Sequence, residues 1–481
     1  MPHLIHSLTR ILALMAVCGP VLPAAELHIG SATASITPDR PVALNGQMAT
    51  RISRKVTAPV TASALALESR EGEKSLAAAI MVSCDICLVR GGVLEMVRER
   101  VQQQLPDFDT SKLILNATHT HTAPVLTEGI YRLPEDGIMR PTEYAAFFAD
   151  RAAEAAVSAW NSRQTGSVGW GMAHAVVAYN RRTVFADGHA TMYGSTSAPD
   201  FRAVEGYEDH GVEVLFFWDD SQKLTATAIN VACPSQEVES DSTVNADFWH
   251  QVRTALQAKY GKDLVVLAWT GAAGDQSPHL RFRKQAEDRM RKLRGLSRLD
   301  EISRRLVRAW EEAHAGARQE RHSDAPLVHV VKNIKLPLRQ ITEAEITEIK
   351  GKLAVARSNP QAFRREVWFQ DAVNRYEQQL TGEAEPYQME LHALRLGDIA
   401  IATNDFELYT QYGIQMKARS PALQTFVIQL AGPGTYVPTV EAALGGGYSA
   451  IVESNVVGAE GGQVLTEETI QVLNSLWPSD Q

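Results

Sequence analysis

Cysteine is scarce in this chain: four residues among 481, one of them, Cys18, inside the N-terminal stretch. The other three, Cys84, Cys87 and Cys233, are too few and odd in number to form a disulfide framework, so the fold must rest on a hydrophobic core. No basic stripe is present either. The densest basic stretch, "RFRKQAEDRMRKLRGLSR" (281–298), is interrupted by acids at helical spacing and reads as a solvated helix face. With a formal net charge of −9, this excludes nucleic acid as the expected partner. Beyond the first twenty-five residues no apolar run is long enough to span a bilayer, so no stable membrane span is expected. Repeats and low-complexity segments are absent. What remains is 45% hydrophobic and 21% charged, the balance of a globular protein with one large domain or two smaller ones.

Residues 1–25 read as a signal peptide. Arg10 precedes the apolar stretch "ILALMAVCGPVLP", and Ala24 and Ala25 form a small-residue cleavage region. Gly19 and Pro20 break the run and argue against a retained anchor, and Val17 before Cys18 is a poor lipoprotein site. The expectation is an exported, periplasmic or secreted protein whose mature part is 26–481.

Along that part, strand-like runs ("ASALALES", "LAAAIMVSCDICLV", "KLILNATH", "GVEVLFFW", "LTATAINVAC", "DLVVLAWTG") alternate with helical patterns ("GGVLEMVRERVQQQL", "PTEYAAFFADRAAEAAVSAW", "ADFWHQVRTALQAKY"). This alternation predicts an α/β fold, a mixed-sheet core with flanking helices. A charged helical insertion is expected at roughly 283–380, after which β patterns resume at "MELHALRLGDIAIATN" and "QTFVIQLAG".

The residues able to do chemistry cluster where these strands end. They are His119 and His121 in "NATHTHTAPV", Cys233, Ser277 in "GAAGDQSPH", Asp405 and Glu407, and Tyr436. Strand ends converging on one sheet edge form a crevice, so these groups are read as one site. In an extended segment His119 and His121 share a face, with Thr118, Thr120 and Thr122 on the other. Two imidazoles so placed can bind a metal together, divide metal and substrate duties, or occupy an ordinary loop. Ser277 follows a Gly-rich turn where a nucleophile, a hydrogen-bond donor or a plain turn is possible, and the Gly-x-Ser-x-Gly elbow is absent. Glu407 can cap a helix, bind a cation or act as a base. Tyr436 defaults to packing with a satisfied hydroxyl. Cys87, in its buried run, and Cys84 are read as structural.

Taken in order along the chain, these segments resemble the neutral/alkaline ceramidase family of zinc amidases over nearly all of the mature sequence. "IGSATASITPDRPVALNGQ" is similar to the family's opening, with Ser35 in place of an aspartate. "NATHTHTAPV" is similar to its T-H-T-H-S-G-P signature, "YNRR" to its N-R-S segment and "GAAGDQSPH" to its G-(D/N)-x-S-P-N. "DFELYTQYG" resembles its glutamate motif and "TYVPTVEAALGGGY" its tyrosine segment. The resemblance implies Zn2+ bound by His119, Glu407 and Tyr436, with His121 stabilising the tetrahedral intermediate. It further implies that Arg181 holds the developing oxyanion, that Tyr448 lines the site, and that Ser277 is a nucleophile or a substrate-binding residue. Where the family has a second zinc histidine this chain has Cys233 in "CPSQ". A thiolate there, His250 nearby, or neither can complete the shell. The sequence after the tyrosine segment, ending at "LTEETIQVLNSLWPSDQ", is expected to hold no counterpart of the additional C-terminal β-sandwich of larger members.

The function expected is an exported zinc-dependent hydrolase that cleaves an amide (N-acyl) bond of a small-molecule or lipid-like substrate. Two alternatives stand beside it. One is a glycan-active hydrolase on the same fold, using paired carboxylates among Asp247, Asp275, Asp405 and Glu407. The other is a catalytically silent lipid- or glycan-binding protein.

Overall fold

The computed structural model describes residues 25–477. The stretch read as a signal peptide lies outside them, apart from Ala25.

The main sheet has eight strands, in chain order β1 (Glu26–Ser35), β2 (Thr61–Glu71), β3 (Lys74–Cys84), β4 (Leu113–Ala117), β5 (Gln164–His174), β6 (Gly211–Asp219), β7 (Leu224–Val231) and β8 (Val265–Thr270). Their spatial order is β8-β7-β6-β5-β1-β2-β3-β4. The inner pairs are antiparallel, whereas β7–β8 and β3–β4 at the two edges are parallel. The edges approach one another: the Ser83 and Asn116 side chains both donate to the Ala268 carbonyl, and Ser83 Oγ accepts from Ala268 N–H. Those side chains satisfy edge groups that would otherwise be exposed or unpaired. A second sheet contains β9 (Leu327–Leu336), β10 (Tyr387–Leu396), β11 (Ile399–Thr403) and β12 (Gln424–Ile428) in that order, with β11–β12 parallel.

Alternation along the strands produces the layers. On β2, Ala62, Ala64 and Ala66 face the core under helices α1 (Val93–Gln104) and α2 (Pro141–Asn161), while Leu65 and Leu67 face the second sheet. Small residues on the helix side let α2 sit close: it presents Ala145, Ala149, Ala152, Ala156 and Ala159 to the sheet. The other half of the main sheet is covered by α3 (Phe248–Tyr260) and by α5 (Arg298–Ala317), which follows the exposed helix α4 (Lys284–Leu293). Leu394, Leu396, Ile399 and Phe426 of the second sheet close the core against Leu27, Leu215 and Phe217. Helices over 410–419 and 459–475 cover the outer face of that sheet. The result is a helix–sheet–sheet–helix stack, the mixed α/β core expected from the sequence.

Within 283–380 the helical expectation divides. α5 belongs to the main core through Leu306 and Trp310, and β9 is the edge of the second sheet. Only α6 (Glu343–Arg357) and α7 (Phe363–Thr381) form a hairpin with a core of their own, built on Ile349, Leu353, Phe369 and Val373. No helix of the described residues is long and apolar enough to cross a membrane.

Candidate metal-binding site

The candidate site lies at the C-terminal ends of β3, β4, β7, β8, β11 and β12, where parallel neighbours leave a crevice. β4 stops at Ala117, and the backbone N–H of Thr118 then donates to the carbonyl of Cys84 at the end of β3, and those of His119 and Thr120 to the Ile86 carbonyl just past it. His119 takes a left-handed conformation (φ 65°). The extended segment expected here is thus a turn. The two imidazoles meet because the chain folds back, with ring centroids 4.9 Å apart, and the histidine strand alternation is not the cause. Such strain is held in place by the surroundings: Thr120 Oγ1 and Thr122 Oγ1 both donate to the Asn245 carbonyl.

His119 is oriented by its Nδ1, 2.7 Å from the Cys87 carbonyl, which leaves Nε2 facing Glu407 Oε2 at 3.0 Å. Burial pushes this imidazole's pKa down, but the Glu407 carboxylate and Cys87 carry it up to about 10. Reciprocally, burial raises Glu407 while His119 brings it down to about 2. Glu407 and Tyr436 stand side by side in a two-residue parallel bridge, Glu407–Leu408 against Tyr436–Val437. Burial and the Glu407 charge push the Tyr436 hydroxyl well above its usual value.

His121 is engaged at Nε2, while its buried Nδ1 faces a carboxylate without an aligned hydrogen bond, as His119 Nε2 does. Gln236 Nε2 donates to its Nε2 (2.9 Å), and Glu239 Oε2 lies 3.0 Å from its Nδ1. Gln236 Oε1 in turn accepts from Arg181 Nη1 (3.3 Å), and Arg181 Nη2 donates to the Gly274 carbonyl (2.8 Å) and the Tyr436 hydroxyl (3.1 Å). The Tyr448 ring stands against Tyr436, centroids 5.7 Å apart.

Cys87, His119 and His121 form the one group of three potential ligands clustered closely enough to hold a metal ion among the described residues. Its thiol is drawn down to about 6: burial raises it, and the neighbouring His121 and His119 more than offset that. The two faces of His119 differ, however. Cys87 Sγ lies 4.0 Å from Nδ1, the nitrogen already engaged by a carbonyl. Nε2 is buried and has no aligned hydrogen bond, although Glu407 Oε2 is 3.0 Å away. A carbonyl on one imidazole nitrogen and an unsatisfied second nitrogen beside a carboxylate and a phenol is the donor arrangement that a metal ion fits.

Other expected residues sit elsewhere. Cys233 is fully buried in the core under α3 and α5, its Sγ against the Val177 and Pro234 carbonyls, and burial raises its thiol. His250 begins α3, where burial and Arg253 lower it. Neither belongs to the cluster. Ser277 Oγ, with no exposed surface, accepts from Tyr193 Oη (3.0 Å) and His279 N–H (3.1 Å) and does not line the pocket. Asp247 caps α3, Asp275 accepts from Thr410 N–H, and Asp405 accepts from Tyr387 Oη. All three are engaged by the scaffold.

Sequence reasoning missed Gln236, Glu239 and the ligand capacity of Cys87. Gln236 lies in the "CPSQ" segment, three residues past Cys233, where the thiol is the only side chain with an obvious ligand chemistry. The pocket over the cluster holds about 160 Å³ and is lined by Gly46, Tyr131, Tyr436 and Tyr448 and, from α7, Arg364, Trp368, Asp371 and Arg375.

The class defined so far is an α/β stack with a buried histidine–carboxylate–phenol constellation at strand ends. No family model and no curated protein matches the chain. Among solved structures it is similar to neutral ceramidase from Pseudomonas aeruginosa, with TM-score 0.68, 16% identity, and coverage of 95% of this chain and 76% of that one. It is also similar to a ceramidase complexed with C2, with TM-score 0.67, 15% identity and the same coverage. At this identity the likeness establishes a shared ceramidase-like fold.

Proposed function

We propose that this protein is an exported, zinc-dependent hydrolase that cleaves an amide (N-acyl) bond. The observation that carries the reading is the buried, unsatisfied His119 Nε2 facing Glu407, with Tyr436 beside it, on the fold of the neutral ceramidases. His119, Glu407 and Tyr436 would hold the metal. Zinc in such a site supplies an activated water near neutral pH and a Lewis-acid contact for the scissile carbonyl.

This chain's own residues do the rest. His121, its ring fixed by Gln236 and Glu239, lines the pocket and stabilises the negative charge that builds on the carbonyl oxygen. Arg181 acts at the Tyr436 hydroxyl, to which it donates, and Tyr448 packs on that ring. Ser277 positions the His279 loop in this scheme through the hydrogen bond it accepts.

The test is zinc content by mass spectrometry, together with turnover of N-acyl amides before chelation, after it and on reconstitution. His119→Ala should lose the metal. His121→Ala should keep it and lose about 10²–10³ in kcat, the cost of one oxyanion donor. A glycoside turned over after exhaustive chelation would instead favour the carboxylate mechanism.

A further inference from the structure

The pocket over the cluster does not suit a long neutral lipid. Its volume of about 160 Å³ is below the roughly 300–1,000 Å³ of cavities that bury a drug-sized ligand. Its wall carries three guanidinium groups from two segments: Arg90 after β3, and Arg364 and Arg375 on α7. None of the three has a carboxylate within ion-pair distance among the described residues, unlike Arg98, Arg163, Arg182 and Arg253.

Two of them are committed to backbone. Arg90 Nη2 donates to the Gly434 carbonyl (2.7 Å), and its Nε is buried with no partner. Arg375 donates to the carbonyls of Asn455 (2.8 Å) and Val452 (2.6 Å). Arg364, half-buried on the first turn of α7, stands by the Tyr131 hydroxyl and within the field of Tyr448. Of the acids on the same wall, Glu453 is paired with Lys352 (3.1 Å), and Glu407 belongs to His119. That leaves Asp371, whose carboxyl burial pushes up despite the three arginines. One such group does not neutralise three cations. Partly desolvated guanidinium without a counter-ion is costly, and its planar fork matches a carboxylate in a bidentate pair.

We propose that the substrate carries an anionic group and that Arg364 is its receptor, with Arg90 and Arg375 supplying the surrounding field. The inference rests on the amidase reading and narrows it to a short N-acyl compound with a carboxylate on its amine or acyl part. A sulfonate or phosphate offers the same chemistry at a different geometry.

Three measurements on the mature protein test this. The first compares kcat/KM for N-hexanoylglycine with that for its neutral isostere N-hexanoylglycinamide; N-hexanoyltaurine, N-hexanoyl-O-phosphoethanolamine and N-hexanoylsphingosine are run beside them. The carboxylate should be preferred over the neutral amide by about 10- to 100-fold, the range of a charge-assisted hydrogen bond. The second repeats the pair with Arg364→Gln and Arg364→Lys: the ratio should fall to about one in the first, through KM, and be partly retained in the second. The third is calorimetric binding of N-hexanoylglycine to the chelated protein, which should disappear in Arg364→Gln. Equal turnover of the charged and neutral amides by the wild type overturns the anion proposal and leaves the amidase reading standing. Binding of N-hexanoylglycine with no hydrolysis of any amide overturns the amidase reading and retains the anion site. Preference for the taurine or phosphate compound over the glycine one overturns the carboxylate assignment in favour of that anion.

Discussion

At the scale of single residues, the candidate site depends on contacts too close for substitution. Gly46 adopts φ +93°, and a Cβ placed on it would lie 2.3 Å from His121 Cγ. No side chain fits there without moving the imidazole, and a non-glycine residue also strains the backbone. Gly46→Ala should therefore displace His121 from Gln236 and Glu239. The expected outcome is a kcat about 10²-fold lower on an amide substrate. Zinc content should stay at the wild-type value, because His119 and Glu407 are untouched; parallel metal analysis and steady-state kinetics check both. Loss of zinc in this variant would mean that His121 is itself a ligand, through the cluster it shares with Cys87.

At the scale of elements, the turn that carries both histidines is held from behind. Asp85, just past β3, pairs with Arg253 of α3 through bonds of 2.6 and 3.0 Å, and also accepts from Thr61 N–H (2.9 Å). Asp85 is fully buried and Arg253 nearly so. Arg253→Met leaves a buried carboxylate without its counter-charge and should cost about 3–5 kcal/mol, measured by denaturant unfolding. Asp85→Asn together with Arg253→Met should recover part of that loss, because the uncompensated charge is gone. The elements themselves were largely legible. β2, β3, β4, β6, β7 and β8 follow the apolar runs read from the sequence, and α1, α2 and α3 the helical periodicities. β5, "QTGSVGWGMAH", is not legible as a strand: three glycines dilute its pattern, and Gly169 and Gly171 are there because the α5 backbone passes against them, with carbonyls within about 3 Å of an added Cβ.

At the scale of the whole molecule, the helix layer is bound to the second sheet across the edge of the first. Arg98 of α1 pairs with Glu390 of β10, which also accepts from His392 (2.8 Å). Burial raises the Glu390 carboxyl, but His392 and Arg98 bring it down to about 2 from 4.5. A depressed carboxylate stabilises the folded state above its unfolded value, and that contribution is lost as pH falls from about 4.5 towards 2. Glu390→Gln should lower stability at pH 7 by on the order of 1–2 kcal/mol after solvent screening, and flatten the acid limb in that window. Urea midpoints at pH 7 and pH 3 measure both, and an unchanged acid limb would assign the loss of stability to other carboxylates.

Local order was within reach of the sequence by itself: period-2 and period-3.6 patterns report burial, and burial makes the strands and helices. The order of the motifs, from "THTHT" to the tyrosine segment, likewise brought His119, Glu407 and Tyr436 onto one list, and the tertiary structure does place them together. Which partners complete that group was decided only in three dimensions. Cys233 has the better sequence position as a ligand, yet its thiol lies in the core under α3 and α5 against the Val177 and Pro234 carbonyls, while Cys87, which the sequence reads as a core cysteine, comes within 4.0 Å of His119 because the chain turns after β3. Gln236, Glu239 and Arg364 have no local signature, since Gln236 and Glu239 reach His121 from a loop more than 110 residues on, and Arg364 reaches the pocket from a helix some 240 residues on, once both sheets have packed. Side-chain direction and long-range packing are set by the whole fold, and no local window of sequence contains them.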